Sequence, residues 1–232
     1  MDVNAVLSEA WTLYTRFFVR FVLTAAAVYV VLDLISAIAV STDDDVGAAV
    51  VWGLLSVVIS IVGFFWVQGA LVEAVRDVRD GRFDSSIGEL YSRTRPRLPA
   101  LISAGVLAGL GIVLGLVLLI VPGLYLLTRW LFIAPAIVLE GRSAGESFGR
   151  SSALVKGHGW SVFGLMILTV VAAAITLGVI RGLLFWLPEF FEAWVGSLVA
   201  HSLVAPFVVL AWTVGYYHLI GAGRAPAADL PA

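Results

Sequence analysis

The sequence predicts an all-α integral membrane protein with six transmembrane helices, built as three repeats of an amphipathic surface helix followed by a helical hairpin. Three observations predict it. Only 13% of residues are charged, in a chain that is 61% hydrophobic with a mean hydropathy of +1.03; a soluble domain carries about 25% charge. The charges are clustered, and the apolar runs between them reach the roughly 20 residues needed to cross a bilayer core. Finally, two octapeptides, residues 86–93 and 143–150, share the pattern Ser-x-Gly-Glu-x-aromatic-x-Arg, and each precedes a pair of apolar runs. A weaker copy, residues 2–21, opens the chain and also precedes two runs.

In the first unit, about residues 2–73, Val3, Val6, Leu7, Ala10, Leu13, Tyr14, Phe17, Phe18 and Phe21 form a helical stripe. Asp2, Glu9, Thr12, Arg16 and Arg20 fall mostly off it, as in an interfacial helix. The first run is 21–40, interrupted by Asp33; the Asp43-Asp44-Asp45 loop follows, and the uncharged run 48–72 completes the hairpin. Residues 73–98 are the most charged segment, with Arg76, Arg79, Arg82, Arg93, Arg95 and Arg97.

The second unit, about 86–140, starts with Ser86 and Glu89 at capping-box spacing: the serine accepts from the N–H three residues on, and the glutamate reaches back to the cap. The next apolar stretch, 99–128, is long for a single span. Pro122-Gly123 is a turn dipeptide inside it, so the expected division is 99–121 and 124–139. Gly105-x-x-x-Gly109 and Gly111-x-x-x-Gly115 put small residues where helices approach closely. Pro135 and Pro206 are expected kinks.

The third unit, about 143–220, has the same box at Ser143 and Glu146, then runs at 160–180 and 193–220. Arg93 and Arg150 lie further along their surface helices, where they could meet lipid phosphates. The whole reads as one membrane domain, 1–222, with a disordered tail at 223–232. No secretory signal is expected, since residues 1–9 are not basic.

Basic residues set the orientation. With the N-terminus cytoplasmic, the inner segments hold Arg16, Arg20, the six central arginines, Arg142, Arg150, Lys156 and Arg224; the outer ones hold only Arg181. Both termini are therefore expected inside, in the cell membrane.

Residues 122–126 (Pro-Gly-Leu-Tyr-Leu), Arg129, 134–140 (Ala-Pro-Ala-Ile-Val-Leu-Glu), 147–157 and 160–165 resemble a bacterial family: the membrane domain attached to some glycerophosphoryl diester phosphodiesterases and related stand-alone six-span proteins of unknown function. The resemblance is best over 120–170. It implies six helices and an inner-membrane location. In the fused members the hydrolase is a separate soluble domain, which this sequence does not contain, so the resemblance brings no phosphodiesterase activity with it.

The sequence gives little support to catalysis. There is no cysteine, hence no disulfide, thiolate chemistry or Cys-based zinc site. His158, His201 and His218 have no metal-ligand spacing, and no P-loop, GxSxG or nucleotide fingerprint is present. No metal, cofactor or nucleic acid is expected. Ionisable residues within spans are the best lead. By helical rise, Asp33, Arg129 and His201 lie about 10, 8 and 12 Å from the outer ends of their spans. The expectation is an outer-half polar cluster in which Asp33 pairs with Arg129 and His201 joins. The expected function is a non-enzymatic scaffold or partner subunit in an envelope or lipid-related process, with the bilayer and either a protein partner or a lipid ligand as its contacts. The alternative is a transporter or channel-like protein for a lipid or small anion.

Overall fold

The computed structural model describes residues 1–40, 46–79 and 84–224. Asp43–Asp45, Arg82 and the part of the tail beyond 224 lie outside the described residues. Among those described, every regular element is helical. Six stretches are long and apolar enough to cross a membrane: Phe18–Ala39, Val50–Val78, Ile87–Leu118, Ile120–Glu140, Gly159–Leu184 and Glu189–Gly221.

The first short helix, α1 (Val3–Arg16), is capped by Asp2, whose carboxylate accepts from the Asn4 N–H at 2.9 Å. Val6, Ala10 and Tyr14, four residues apart, are its buried face. The Tyr14 hydroxyl donates to the Leu203 carbonyl at 2.9 Å, and Glu9 meets His218 at 2.7 Å. The amphipathic stripe is therefore spent on the final helix of the chain. Burial pushes the Tyr14 phenol up to about 12. The backbone then enters α2 (Phe18–Val40), followed by α3 (Val46–Val78).

Both expected capping boxes form. Ser86 starts α4 (Ile87–Thr94) and accepts from the Glu89 N–H, while Glu89 accepts from the Ser86 N–H at 2.6 Å. Ser143 and Glu146 repeat this at α8 (Ala144–Val155). Each cap contributes about 1 kcal/mol to its helix. The Ser143 hydroxyl, then its N–H, hold the Glu146 carboxyl below the ordinary glutamate range. That contribution is present above the ordinary range and is lost as pH falls through the lowered value.

The second hairpin departs from expectation in two places. Its turn is at Leu119, between α5 (Leu98–Leu118) and α6 (Ile120–Arg129), and not at Pro122-Gly123. Leu119 is extended, and Pro122 lies in the first turn of α6, where its missing N–H costs nothing. Gly123 instead permits the tight return: a Cβ on Gly115 would stand 3.0 Å from the Gly123 backbone. Of the expected small-residue positions, Gly105 packs on Phe65, Gly111 on Trp130 and Gly115 on Gly123, while Gly109 meets nothing.

The second departure is that the fourth span is broken. Residues 130–132 form a turn between α6 and α7 (Ile133–Glu140). Pro135 is the third residue of α7, a position that needs no intrahelical N–H; within a continuous helix it would clash with the carbonyl of Leu131. Gly141, at φ 68°, closes α7 in the left-handed region. The Arg97 guanidinium donates to the terminal carbonyls of Ile137, at 2.8 Å, and Val138.

The third hairpin is α9 (Gly159–Leu184), then α10 (Glu189–Phe191), a π turn and α11 (Ser197–Arg224). The last helix continues through Pro206. It contacts α1, α2, α3 and α9 and so forms the spine of the bundle. Phe21, Leu71, Phe132, Leu165, Leu210 and Tyr216 are fully buried around it.

Candidate functional site

A break inside an apolar bundle leaves backbone groups that need partners. Here the partner comes from α8. The Ser151 hydroxyl accepts from the Phe132 N–H at 3.2 Å and donates to the Arg129 carbonyl at 2.7 Å. Ser147, Ser151 and Val155, at four-residue spacing, form the buried stripe of α8, and Phe148 packs edge-on against Trp130 at 5.0 Å. Two small serines let α8 lie close across the break. This fixes the α8–α9 junction beside α6.

The junction is Lys156-Gly157-His158. Gly157 takes φ 84°, a value that favours glycine, and turns the chain sharply into α9. His158 is the N-cap of α9, but its side chain makes no capping bond. The N–H groups of Gly159, Trp160 and Ser161 precede the first intrahelical donor, Val162, which bonds the His158 carbonyl.

Between α6 and this junction is a cavity of about 710 Å3. Its polar lining includes Tyr125, Thr128, Arg129, Lys156, His158 and Ser161; its apolar walls include Val121, Leu124, Trp160 and Phe163. No carboxylate lines it. The Arg129 guanidinium donates to the Tyr125 hydroxyl and, at 3.4 Å, to the Ser152 carbonyl, and sits 5.3 Å from the Tyr125 ring centre. These contacts hold the guanidinium at the wall and leave further N–H donors. Nδ1 of His158 is buried without a hydrogen-bond partner. At the rim, Trp160 is 87% exposed. Two cations, one of them held by its contacts, an uncapped helix N-terminus and an apolar wall make this a site for an anion that carries a hydrophobic body.

The expected three-residue cluster forms only in part. His201 Nδ1 lies 2.9 and 3.2 Å from the Asp33 carboxylate oxygens, and Asp33 is buried. The Tyr29 ring stacks on His201 at 5.0 Å. A cavity of about 250 Å3 adjoins this group, with Gln68 and Trp212 in its lining. Arg129 is not part of it and belongs to the larger pocket. With the hairpin turn at Leu119, Arg129 stands at the end of the 10-residue α6, about 15 Å past the turn by helical rise and deeper than the sequence placed it, where it meets α8 instead. A double-mutant cycle is therefore expected to give a coupling of about 0.5–3 kcal/mol for Asp33→Asn with His201→Gln, and additivity for Asp33→Asn with Arg129→Gln. Unfolding of the five variants, three single and two double, in detergent measures both; coupling in the second cycle alone would contradict the arrangement.

The expected phosphate contacts also change. Arg93 pairs with Asp77 at 3.3 Å. Arg150 forms a forked pair with Glu140, Nη2 at 2.7 Å and Nε at 2.9 Å, which raises its pKa above the ordinary arginine value. Glu140 also accepts from Arg142 at 3.1 Å and from the Tyr216 hydroxyl at 2.6 Å, so this one carboxylate joins α7, α8 and α11. In the sequence Glu140 marks only the end of the second unit, just past the apolar run 124–139, and the nearby Arg142 and Arg150 are the signal of its role. In the sequence His158 stands out only for its lack of metal-ligand spacing, and Lys156 only as part of the inner charge count. Among the described residues no group of three His, Asp or Glu could hold a metal.

Residues 87–219 match the family described as a domain of unknown function, DUF7847. No curated protein and no solved structure matches the chain. The matched segment runs from α4 into α11 and contains all the residues of the larger pocket. It covers more than half of the 232 residues, and the chain belongs to the DUF7847 family.

Proposed function

We propose that this is a non-enzymatic, multi-pass protein of the cell membrane that holds an anionic amphiphile in the pocket between α6 and the α8–α9 junction. In this reading it serves an envelope or lipid-related process, alone or as a partner subunit. The observation that carries the proposal is the pocket lining: Arg129 and Lys156 without any carboxylate, beside apolar walls with Trp160 at the rim. A charged side chain within a span is costly unless it faces protein, water or a ligand. The resemblance of residues 120–170 to the membrane domain attached to glycerophosphoryl diester phosphodiesterases falls on this same segment, and it supports a link to lipids.

Lipid binding is tested by native mass spectrometry of protein released gently from its membrane. The expected result is a retained anionic lipid that is lost in the Arg129→Gln, Lys156→Gln double variant. Equal retention of zwitterionic lipid by both proteins would reject the reading.

The proposed orientation has both termini cytoplasmic and opens the pocket to the inner leaflet, because Lys156, Arg142 and Arg150 lie on the basic side. Single cysteines test it without background, as the chain has none. Asp84→Cys and Glu189→Cys replace exposed residues. An impermeant thiol reagent applied to intact cells is expected to label position 189 and spare position 84; the reverse pattern would overturn the orientation.

A further inference from the structure

We infer that the headgroup held in this pocket is a phosphomonoester, carried by a lipid of the leaflet onto which the pocket opens. The inference rests on the proposed reading and adds the chemical class of the ligand.

The first argument is charge. Arg129 and Lys156 contribute two positive charges to the lining, and the α9 N-terminus adds about half a charge. The nearby carboxylate, Glu140, is already engaged by Arg150, Arg142 and Tyr216. A phosphodiester headgroup brings a single negative charge and leaves this field under-neutralised. A phosphomonoester brings about −1.5 to −2 at pH 7 and balances it.

The second argument is the supply of donors. A phosphomonoester presents three terminal oxygens, each a strong acceptor. Three kinds of donor surround the cavity: the Arg129 guanidinium beyond its two protein contacts, the Lys156 ammonium, and the N–H groups of Gly159, Trp160 and Ser161. The His158 ring also lines the cavity, with its Nδ1 buried away from the cavity surface. A diester, with two free oxygens and less charge, offers these donors fewer and weaker acceptors. A Cβ at Gly157 or at Gly159 would meet no atom within 4 Å, so the backbone there is open to a headgroup.

The third argument is the wall. Val121 and Trp160 are 76% and 87% exposed, and together with Leu124 and Phe163 they continue the site as an apolar surface. Free phosphate would leave that surface unused, whereas an acyl chain covers it.

The test uses the full chain in detergent, titrated with dioleoyl phosphatidic acid, dioleoyl phosphatidylglycerol, dioleoyl phosphatidylcholine, glycerol 3-phosphate and inorganic phosphate, with binding read by native mass spectrometry and intrinsic tryptophan fluorescence. Phosphatidic acid is expected to bind about tenfold more tightly than phosphatidylglycerol, with phosphatidylcholine and both soluble phosphates weaker still. Lys156→Gln, at an exposed position, is expected to remove most of the preference without loss of fold. Equal affinity for phosphatidic acid and phosphatidylglycerol, both above phosphatidylcholine, would overturn the phosphomonoester and leave the anionic pocket standing. Equal affinity for all three lipids would overturn both. Glycerol 3-phosphate binding as tightly as phosphatidic acid would overturn the assignment to a lipid.

Discussion

Glu140→Ala is expected to lower the unfolding free energy by about 2–4 kcal/mol. The carboxylate accepts hydrogen bonds from Arg150, Arg142 and Tyr216, and these belong to three different parts of the chain. Its removal leaves the Tyr216 hydroxyl, on a fully buried residue, without its acceptor, and leaves Arg150 without its anion. The value is discounted because the Glu140 and Arg150 side chains keep 20% and 32% exposure, so water recovers part of the loss. Glu140→Gln keeps an acceptor for Tyr216 and is expected to lose less. Arg150→Ala combined with Glu140→Ala is expected to cost clearly less than the sum of the two. Urea or thermal unfolding in a fixed detergent measures all of these, and a loss below about 0.5 kcal/mol for Glu140→Ala would contradict the assigned role.

Ser151→Ala is expected to cost about 2–3 kcal/mol, far above the usual value for a serine on a helix, because two buried backbone groups lose their partner together. The Phe132 N–H and the Arg129 carbonyl flank the break in the fourth span, and Ser151 alone bridges them. The functional consequence follows from position: Ser152, the next residue, accepts from the Arg129 guanidinium. Loosening α8 at this point moves one wall of the pocket against the other. Binding of the anionic amphiphile is expected to weaken together with stability in this variant, whereas Lys156→Gln weakens binding alone. A Ser151→Ala protein with wild-type stability would show that water or another group satisfies the break.

What was legible in the sequence follows the range of the forces involved. The six helices long and apolar enough to cross a membrane were legible because length and hydropathy are properties of each segment alone. The two capping boxes were legible because both of their bonds link residues three positions apart. The turn of the second hairpin differs by a few residues from the one expected because its defining residue, Leu119, carries no turn chemistry, while Pro122 sits harmlessly in the first turn of a helix. The closeness of Gly115 and Gly123, which sets that turn, is a tertiary contact.

The same division holds for the site. Asp33 and His201 meet as depth alone suggested, since the helices that carry them are neighbours. Arg129 shares no packed face with them, and its depth differs too, because the turn that sets it is at Leu119 and not at Pro122-Gly123. The basic pocket was out of reach for a related reason. It depends on α8 crossing a helix break that Pro135 announces only as a kink, and on the turn at Gly157 bringing Lys156 and His158 back beside Arg129. The repeated Ser-x-Gly-Glu-x-aromatic-x-Arg segments prove to be architectural: their serines and glutamates start helices, and their arginines are matched by carboxylates. The residues that distinguish the site are those outside the repeat.

The central claim is that the cavity beside Arg129 holds an anionic headgroup. The most direct measurement is an experimental density map of the protein in nanodiscs containing phosphatidic acid. The account predicts headgroup density within hydrogen-bonding distance of the Arg129 guanidinium, the Lys156 ammonium and the first N–H groups of α9, with acyl density running along Trp160 and Phe163. A pocket closed by its own side chains, or one filled only by acyl chain with no headgroup at Arg129, would contradict it.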